Sequence, residues 1–306
     1  MSSVLYDTPG PRARMRYRLY GVAGLLLVAG IGWLVYDRFA TKGQWDAGKW
    51  KPFLYASTWT TYILEGLKNT LTAAGIAMVL ALAFGVIFAL GRLSDHAWVR
   101  WPAGVVVEFF RGIPLLLLIF FASYGGAYVV PFDIPALWAV VFGLTLYNGS
   151  VLAEAFRAGI LALPRGQTEA GYAVGLRKGQ LMRIVLVPQA ARTMLPVIVS
   201  QLVVLLKDTA LGYIIAYPEL LAQTNVITSN YTNLLQAAIV VGAVYVIINL
   251  MLGLVASLLE RRFAPGRSGR MGAELGAPVA IAAAVVGAAD SMAPFGAEGT
   301  AAAPEG

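Results

Sequence analysis

The chain contains no cysteine and a single histidine, His96. The first absence excludes disulfides, thiol catalysis, iron–sulfur clusters and cysteine-ligated zinc, and it leaves the redox compartment open. The second excludes a multi-histidine metal site. Charge is scarce as well. Only 13% of the 306 residues are charged, against 58% hydrophobic and a mean hydropathy of +0.71. A soluble domain carries about 25% charged residues, so this balance argues for a protein that lives in lipid. A phosphate-wrapping loop is also missing: the one Gly-Lys pair, Gly48-Lys49, is followed by Trp50 and not by the Gly-Lys-Ser/Thr that such a loop needs. Neither a carboxylate pair, nor a Ser/His constellation, nor a metal-ligating cluster converges along the chain, so it does not read as a membrane enzyme and carries no cofactor of its own.

What is present in excess is long apolar runs. Six are long enough to cross a hydrocarbon layer about 30 Å thick: Leu19–Tyr36, Leu67–Gly91, Gly112–Val130, Ala136–Ala153, Met194–Ala216 and Leu234–Leu259. No small-residue cleavage pattern follows the first run, which predicts a retained helix and not a signal peptide. Glycines such as Gly21, Gly24, Gly75 and Gly85 would weaken soluble helices, but in lipid they let helices approach closely. The expected fold is therefore an all-α polytopic membrane protein. It divides into a basic N-terminus (1–18), a first helix (19–36), an outer loop (37–66), a core (67–260) and a tail (261–306) rich in Gly, Ala and Pro that reads as disordered. The tail's own apolar run, Ala277–Ala289, is too short to span.

Lysines and arginines orient the chain. With six crossings, 17 of the 23 basic residues fall on one side: Arg12 to Arg18 before the first run, Arg92, Arg100 and Arg111 after the second, six between the fourth and fifth, and four after the sixth. Basic residues accumulate on the cytoplasmic side, so both termini are expected there. The same placement explains the net charge of +7 without nucleic acid, because no soluble segment is large enough to build a basic binding surface. On the outer side, the loop Arg38–Glu65 carries Trp45, Trp50, Tyr55, Trp59 and Tyr62, aromatics suited to a membrane interface.

The segment between the fourth and fifth runs, 154–193, is about 40 residues long, and long loops are usually functional. Pro164 is placed to open a short helix and Gly175 to close it, with Glu169, Ala170 and Gly171 in its middle. A second stretch, Lys178–Leu186, alternates basic and apolar residues and stops before Pro188. Small residues on a short exposed helix leave a surface that can lie close against another protein, and Glu169 adds one directed charge.

Glu169-Ala170-Gly171, then Gly175, Val185 and Val187-Pro188 resemble the EAA signature of the membrane subunits of binding-protein-dependent ABC importers. Gly171, Val185 and Val187 depart from that pattern, in which the third residue is usually Ala and the apolar positions Ile and Leu. The resemblance extends over about 200 residues. Gly66-Leu67-Lys68-Asn69-Thr70-Leu71, Glu108-Phe109-Phe110-Arg111-Gly112-Ile113-Pro114 and Lys207-Asp208-Thr209-Ala210-Leu211 look like the polar amino-acid branch, and most like actinobacterial glutamate permeases. The resemblance implies a type I ABC importer transmembrane fold: a five-helix core over runs two to six, preceded by one extra helix. It further implies a cytosolic ABC ATPase homodimer that carries ATP and Mg and receives the segment as a coupling helix. A second permease, paralogous or identical, an extracytoplasmic solute-binding protein and an amino-acid substrate complete the set. Glu169, Ala170, Gly171 and Gly175 are the coupling positions.

Ionisable groups within the bilayer are functional candidates by default. Lys207 and Asp208 fall about 20 Å into the fifth run and point about 100° apart, so they serve two surfaces. One of the two, Lys207 first, helps line or gate a route for a carboxylate-bearing solute, the other reading being a fixed inter-helix ion pair of this couple with Glu108 or Arg111. Glu108 and Arg111, spaced i, i+3, read as a joint beside the break at Gly112-Ile113-Pro114, with substrate contact as the other reading. Gln201 and Thr209 share a face of the fifth run and are further pathway candidates. Asn148 and Asn249 read as amides that tie helices together. His96, beside Asp95, reads as solvated. The rival is an ion-coupled secondary transporter using Lys207 and Asp208, but the internal repeats usual in that class are not evident.

Overall fold

A computed structural model of the chain describes residues 10–129 and 133–263. The expected tail lies almost wholly outside the described residues, as do residues 1–9 of the N-terminus. Among the described residues the structure is entirely helical. It begins with α1 (Pro11–Thr41), which is followed by the short α2 (Ala47–Trp50) and α3 (Ala56–Thr58). A π-turn over Trp59–Ile63 then leads into α4 (Leu64–Arg92).

The core gathers on α4 because one of its faces is almost bare. Ala73, Ala77, Ala81, Gly85 and Ala89 recur every fourth residue and are all buried. Such a stripe lets a neighbour pack backbone to backbone, which drives helix association where lipid removes the hydrophobic incentive. The neighbour is α8 (Ala136–Leu161): a Cβ on Gly85 would lie 2.9 Å from Leu152 Cβ, and one on Gly149 would lie 2.9 Å from the Phe84 ring. Gly75, Gly21 and Gly24 serve no such contact, since nothing lies within 4 Å of the space beyond them. Among the described residues of α1 none is buried.

Between α4 and α8 the chain forms α5 (Ala97–Gly112), α6 (Leu115–Phe120) and, after a second π-turn, α7 (Gly126–Val129). The break at Ile113-Pro114 turns the path by 100°, so the third crossing is a bent pair and the helical chain starts 15 residues before the expected run. After α8 come α9 (Arg165–Ala173), α10 (Lys178–Leu181), a π-turn over Met182–Leu186 and α11 (Val187–Asp208). Pro188 was expected to stop the second stretch. Instead it sits in the first turn of α11, where its missing N–H is tolerated, and the helical path runs on from Lys178 to Ile215.

A 3-10 segment, Thr209–Ile215, ends the fifth crossing; α12 (Ala222–Tyr231) and α13 (Leu234–Phe263) follow. Five single helices are long and apolar enough to span, and the bent pair makes six. At the end opposite α9, the segment 217–224 docks on the start of α4. Asn69 Nδ2 donates to Pro218 O (2.9 Å), Tyr217 Oη to Asn69 O (2.8 Å) and Leu220 N to Thr70 Oγ1 (3.0 Å). Gly66 is required there, because a Cβ would meet Gln223 Cγ at 2.6 Å. The outer-loop aromatics are largely engaged by the chain itself. Trp45 stacks on Tyr36, and Trp59 Nε1 donates to Phe53 O at 2.8 Å. Asn233 Nδ2 reaches Lys49 O at 3.0 Å, and the Gln236 amide reaches Gln44 O.

Candidate functional site

The loop that follows α8 contracts around a single short helix. Pro164 precedes α9 as its N-cap, one position before the expected N1. Gly175 closes it with φ +83°, a conformation that costs an L-residue about 1–2 kcal/mol. Leu176 N donates to Gly171 O (3.1 Å) and Gly175 N to Tyr172 O (2.9 Å), the paired bonds of a Schellman cap. The two glycines therefore have distinct jobs. Gly175 makes the turn, and Gly171 makes room: a Cβ there would stand 2.4 Å from Leu181 Cδ1, whose side chain is buried.

Further bonds hold α9 and the adjoining α10 to the body. Gln189 Nε2, on α11, donates to Gln167 Oε1 at 3.1 Å. Lys178 Nζ donates to Leu93 O at 2.8 Å and pairs closely with Asp95, joining α10 to the α4–α5 connection. That bond holds the Asp95 carboxyl below the usual carboxylate range. Arg177 N donates to Gln180 Oε1 at 2.9 Å and caps the start of α10. On the outward side of this braced helix Glu169, Ala170, Tyr172 and Val174 are all exposed. The result is a short exposed helix that presents Tyr172, the C-cap Val174 and the Glu169 carboxylate.

The polar candidates separate into two places. Glu108 and Arg111 belong to a cluster at the α9 end of the bundle, where Arg92 Nη1 bridges Glu108 (3.0 Å) and Glu154 (2.9 Å). Arg111 reaches Glu108 at 3.5 Å and Arg157 reaches Glu154 at 2.6 Å. The cluster ties α4, α5 and α8 together. Lys207 takes no part in it; among the described residues it is exposed and pairs with no carboxylate. It stands at the last turn of α11, about 30 Å from that helix's first residue at 1.5 Å per residue, because α11 starts seven residues earlier than expected. Asp208 beside it is half-buried, and Thr209, fully buried, bonds to Leu206 O at 2.6 Å where the α-helix gives way to the 3-10 segment. Gln201 donates to Asn148 Oδ1 at 2.6 Å and so joins α11 to α8. Asn249 bonds only within its own helix, to Tyr245 O at 2.7 Å.

Sequence reasoning missed one buried carboxylate. Glu219 is fully buried and accepts from Leu221 N and Ala222 N (2.7 Å each) and from Tyr245 Oη (2.6 Å). It fastens the start of α12 to α13. The available signal was an acid just ahead of a polar helix, the position that a helix N-terminus favours. The i, i+3 pair Glu154 and Arg157 was legible in the same way.

A polytopic helical bundle with five or six helices long and apolar enough to cross a membrane, and a short exposed helix between two of them, has the form of a membrane transport component. The family described as binding-protein-dependent transport system inner membrane component matches residues 81–265, and the chain belongs to it. A glutamate transport system permease protein of Corynebacterium glutamicum is 45% identical over 228 residues, covering 74% of this chain and 84% of that one. An arginine transport system permease protein of Bacillus subtilis is 31% identical over 66% of this chain and 92% of its own length. Among solved structures, an amino acid ABC transporter crystallised with histidines is 31% identical, with a TM-score of 0.64 over 69% of this chain and 98% of that one. An inward-facing methionine ABC transporter, 21% identical with a TM-score of 0.57, shares the fold. The type I importer transmembrane fold is thus the fold of this chain, and its relatives are transport subunits and not enzymes in themselves.

Proposed function

We propose that this chain is the permease subunit of an ABC importer that carries a polar amino acid, glutamate first among them, into the cell. The observation that carries the reading is α9: a short helix held by the Gln167–Gln189 bond and by Gly171 against Leu181, with Glu169, Ala170, Tyr172 and the C-cap Val174 exposed, in a chain that holds no ATP loop. A separate cytosolic ABC ATPase homodimer, carrying ATP and Mg, receives this helix as its coupling contact. Both termini and α9 lie on the cytoplasmic side, as the basic residues require. A solute-binding protein delivers substrate from outside, and a paralogous permease completes the membrane pair.

Glutamate is supported by the 45% identical relative and by Lys207. An unpaired ammonium in a membrane segment costs on the order of 2.5–3.5 kcal/mol, so it must meet water, a partner helix or an anionic solute. Its place at the junction between α11 and the 3-10 segment puts one positive charge where the helix changes form, a suitable point to meet a carboxylate. Glu108, Arg111 and Gln201 act as structural ties in this scheme, leaving Lys207, Asp208 and Thr209 nearest the pathway.

The test is reconstitution of the complex with its ATPase and binding protein. ATP-dependent glutamate uptake is expected, competed more strongly by unlabelled glutamate than by glutamine, histidine or arginine. Glu169→Lys should cut uptake at least tenfold and weaken copurification of the ATPase while leaving the permease monodisperse. Unchanged uptake in that variant would sink the coupling role. Full uptake by a Lys207→Ala complex would remove Lys207 from the pathway.

A further inference from the structure

The ion-pair cluster at the α9 end does not neutralise itself. Around a cavity of 850 Å³ lined by Arg92, Arg100, Trp101, Glu108, Phe109 and Arg157, among others, three guanidinium groups face one carboxylate. Glu154 lies behind and pairs with Arg92 and Arg157. Arg100 has no carboxylate partner among the described residues; its Nη1 touches only Ser94 O (3.1 Å) and Asp95 O (3.4 Å). The cavity is also two-natured. Its floor is basic, and one wall is the apolar stripe of α5, on which Trp98, Trp101, Val105 and Phe109 are exposed while Ala103 and Val107 face the core. That helix turns by 100° into the membrane-crossing segment that follows it.

We infer that this groove holds one anionic phospholipid, its phosphate on Arg100 and Arg92 and its acyl chain along Trp101, Val105 and Phe109. A free anion would use the guanidinium groups but leave the aromatic wall bare. A zwitterionic lipid would use the wall, but its headgroup ammonium would accompany the phosphate and leave the excess positive charge of the groove uncompensated. Only a ligand with both parts satisfies the whole groove, and exposed tryptophans beside a basic residue, as Trp98 and Trp101 stand beside Arg100 at the start of α5, are where a headgroup level is expected. Lipid at this point rests directly on the cluster that ties α4, α5 and α8, so it stiffens the bundle at the end that carries α9.

The experiment is native mass spectrometry of the full-length chain in detergent, with phosphatidylglycerol or phosphatidylcholine added. Selective retention of one phosphatidylglycerol is expected, weakened roughly fivefold to tenfold by Arg100→Gln and by Trp101→Ala, with Arg100→Lys recovering most of it. Equal retention of phosphatidylcholine overturns the proposal. So does glycerol phosphate competing as well as the intact lipid, which would make the groove a free-anion site. The same measurement on the assembled transporter is the last arm: loss of the bound lipid there means that the second permease covers the groove, and the proposal fails. If Trp101→Ala does not yield folded protein, Trp101→Leu tests the wall with less disturbance.

Discussion

Gly171 shows how a single departure from a pattern acquires a physical reason. In the signature it resembles, the position is usually alanine, and alanine is the better helix former by about 1 kcal/mol. Here the added methyl would meet Leu181 Cδ1 at 2.4 Å, and Leu181 is 1% exposed, so its side chain has little space into which to retreat. Overpacking a closed site costs about 1–3 kcal/mol, which exceeds the propensity gain. Gly171→Ala alone is therefore expected to lower the thermal unfolding midpoint of the purified permease. Gly171→Ala combined with Leu181→Val, which removes the colliding atom, should recover most of that loss. A Gly171→Ala protein as stable as the parent would show that Leu181 turns away freely and that the two residues are not matched.

At the scale of elements, the tie between α10 and the α4–α5 connection has a defined pH window. Lys178 holds the Asp95 pKa below its ordinary value, so the contribution is present above the unfolded-state value near 3.8 and is lost as pH falls through the still lower folded value. Between pH 5 and 8 the tie is intact. ATP-dependent uptake should consequently be insensitive to this pair across that range, while Asp95→Asn should reduce coupling at every pH, read as uptake per ATP hydrolysed. A pH-dependent loss between 5 and 8 that Asp95→Asn abolishes would contradict the assignment. Such a tie was not legible in the sequence, because Lys178 and Asp95 are 83 positions apart and nothing local marks them. What was legible depends on local pattern. Long apolar runs predicted the crossings, and Pro164 and Gly175 bounded α9 to within a residue. Helix α5 escaped because Arg100, Glu108 and Arg111 interrupt its apolar residues, so no long continuous run forms; α12 escaped because Gln223, Thr224 and Asn225 read as loop. The start of the fourth helix was placed late because Trp59 to Ile63 widen into a π-turn that apolar counting does not register. Among the polar candidates, Glu108, Arg111 and Gln201 were found as residues, while their partners Arg92 and Asn148 were supplied by packing.

For the whole molecule, the two ends are fastened separately and the middle is close-packed. Arg92, Glu108, Glu154 and Arg157 tie three helices at the α9 end, and Asn69, Thr70, Tyr217 and Glu219 tie the other. Between them Gly85, Gly149 and Gly159 make room for Leu152, Phe84 and Met194, and so seat α4, α8 and α11 closely against one another. For α11 to slide on α8, the Gln201–Asn148 bond and the Gly159–Met194 contact would both have to break. With α9 as the coupling helix proposed above, the expectation is that the core helices move as one body and not one helix past another. The absence of native cysteine makes this testable without background. A chain carrying Gln167→Cys and Gln189→Cys, joined by a short bifunctional maleimide within the assembled complex, should retain most of its ATP-dependent uptake, because α9 and α11 already move together. A second pair, Ser94→Cys with Gly179→Cys, joins the α4–α5 connection to α10 and should be tolerated for the same reason. If either cross-link stops uptake while the ATPase remains bound, a hinge lies between the joined elements and the transport stroke is internal to this chain.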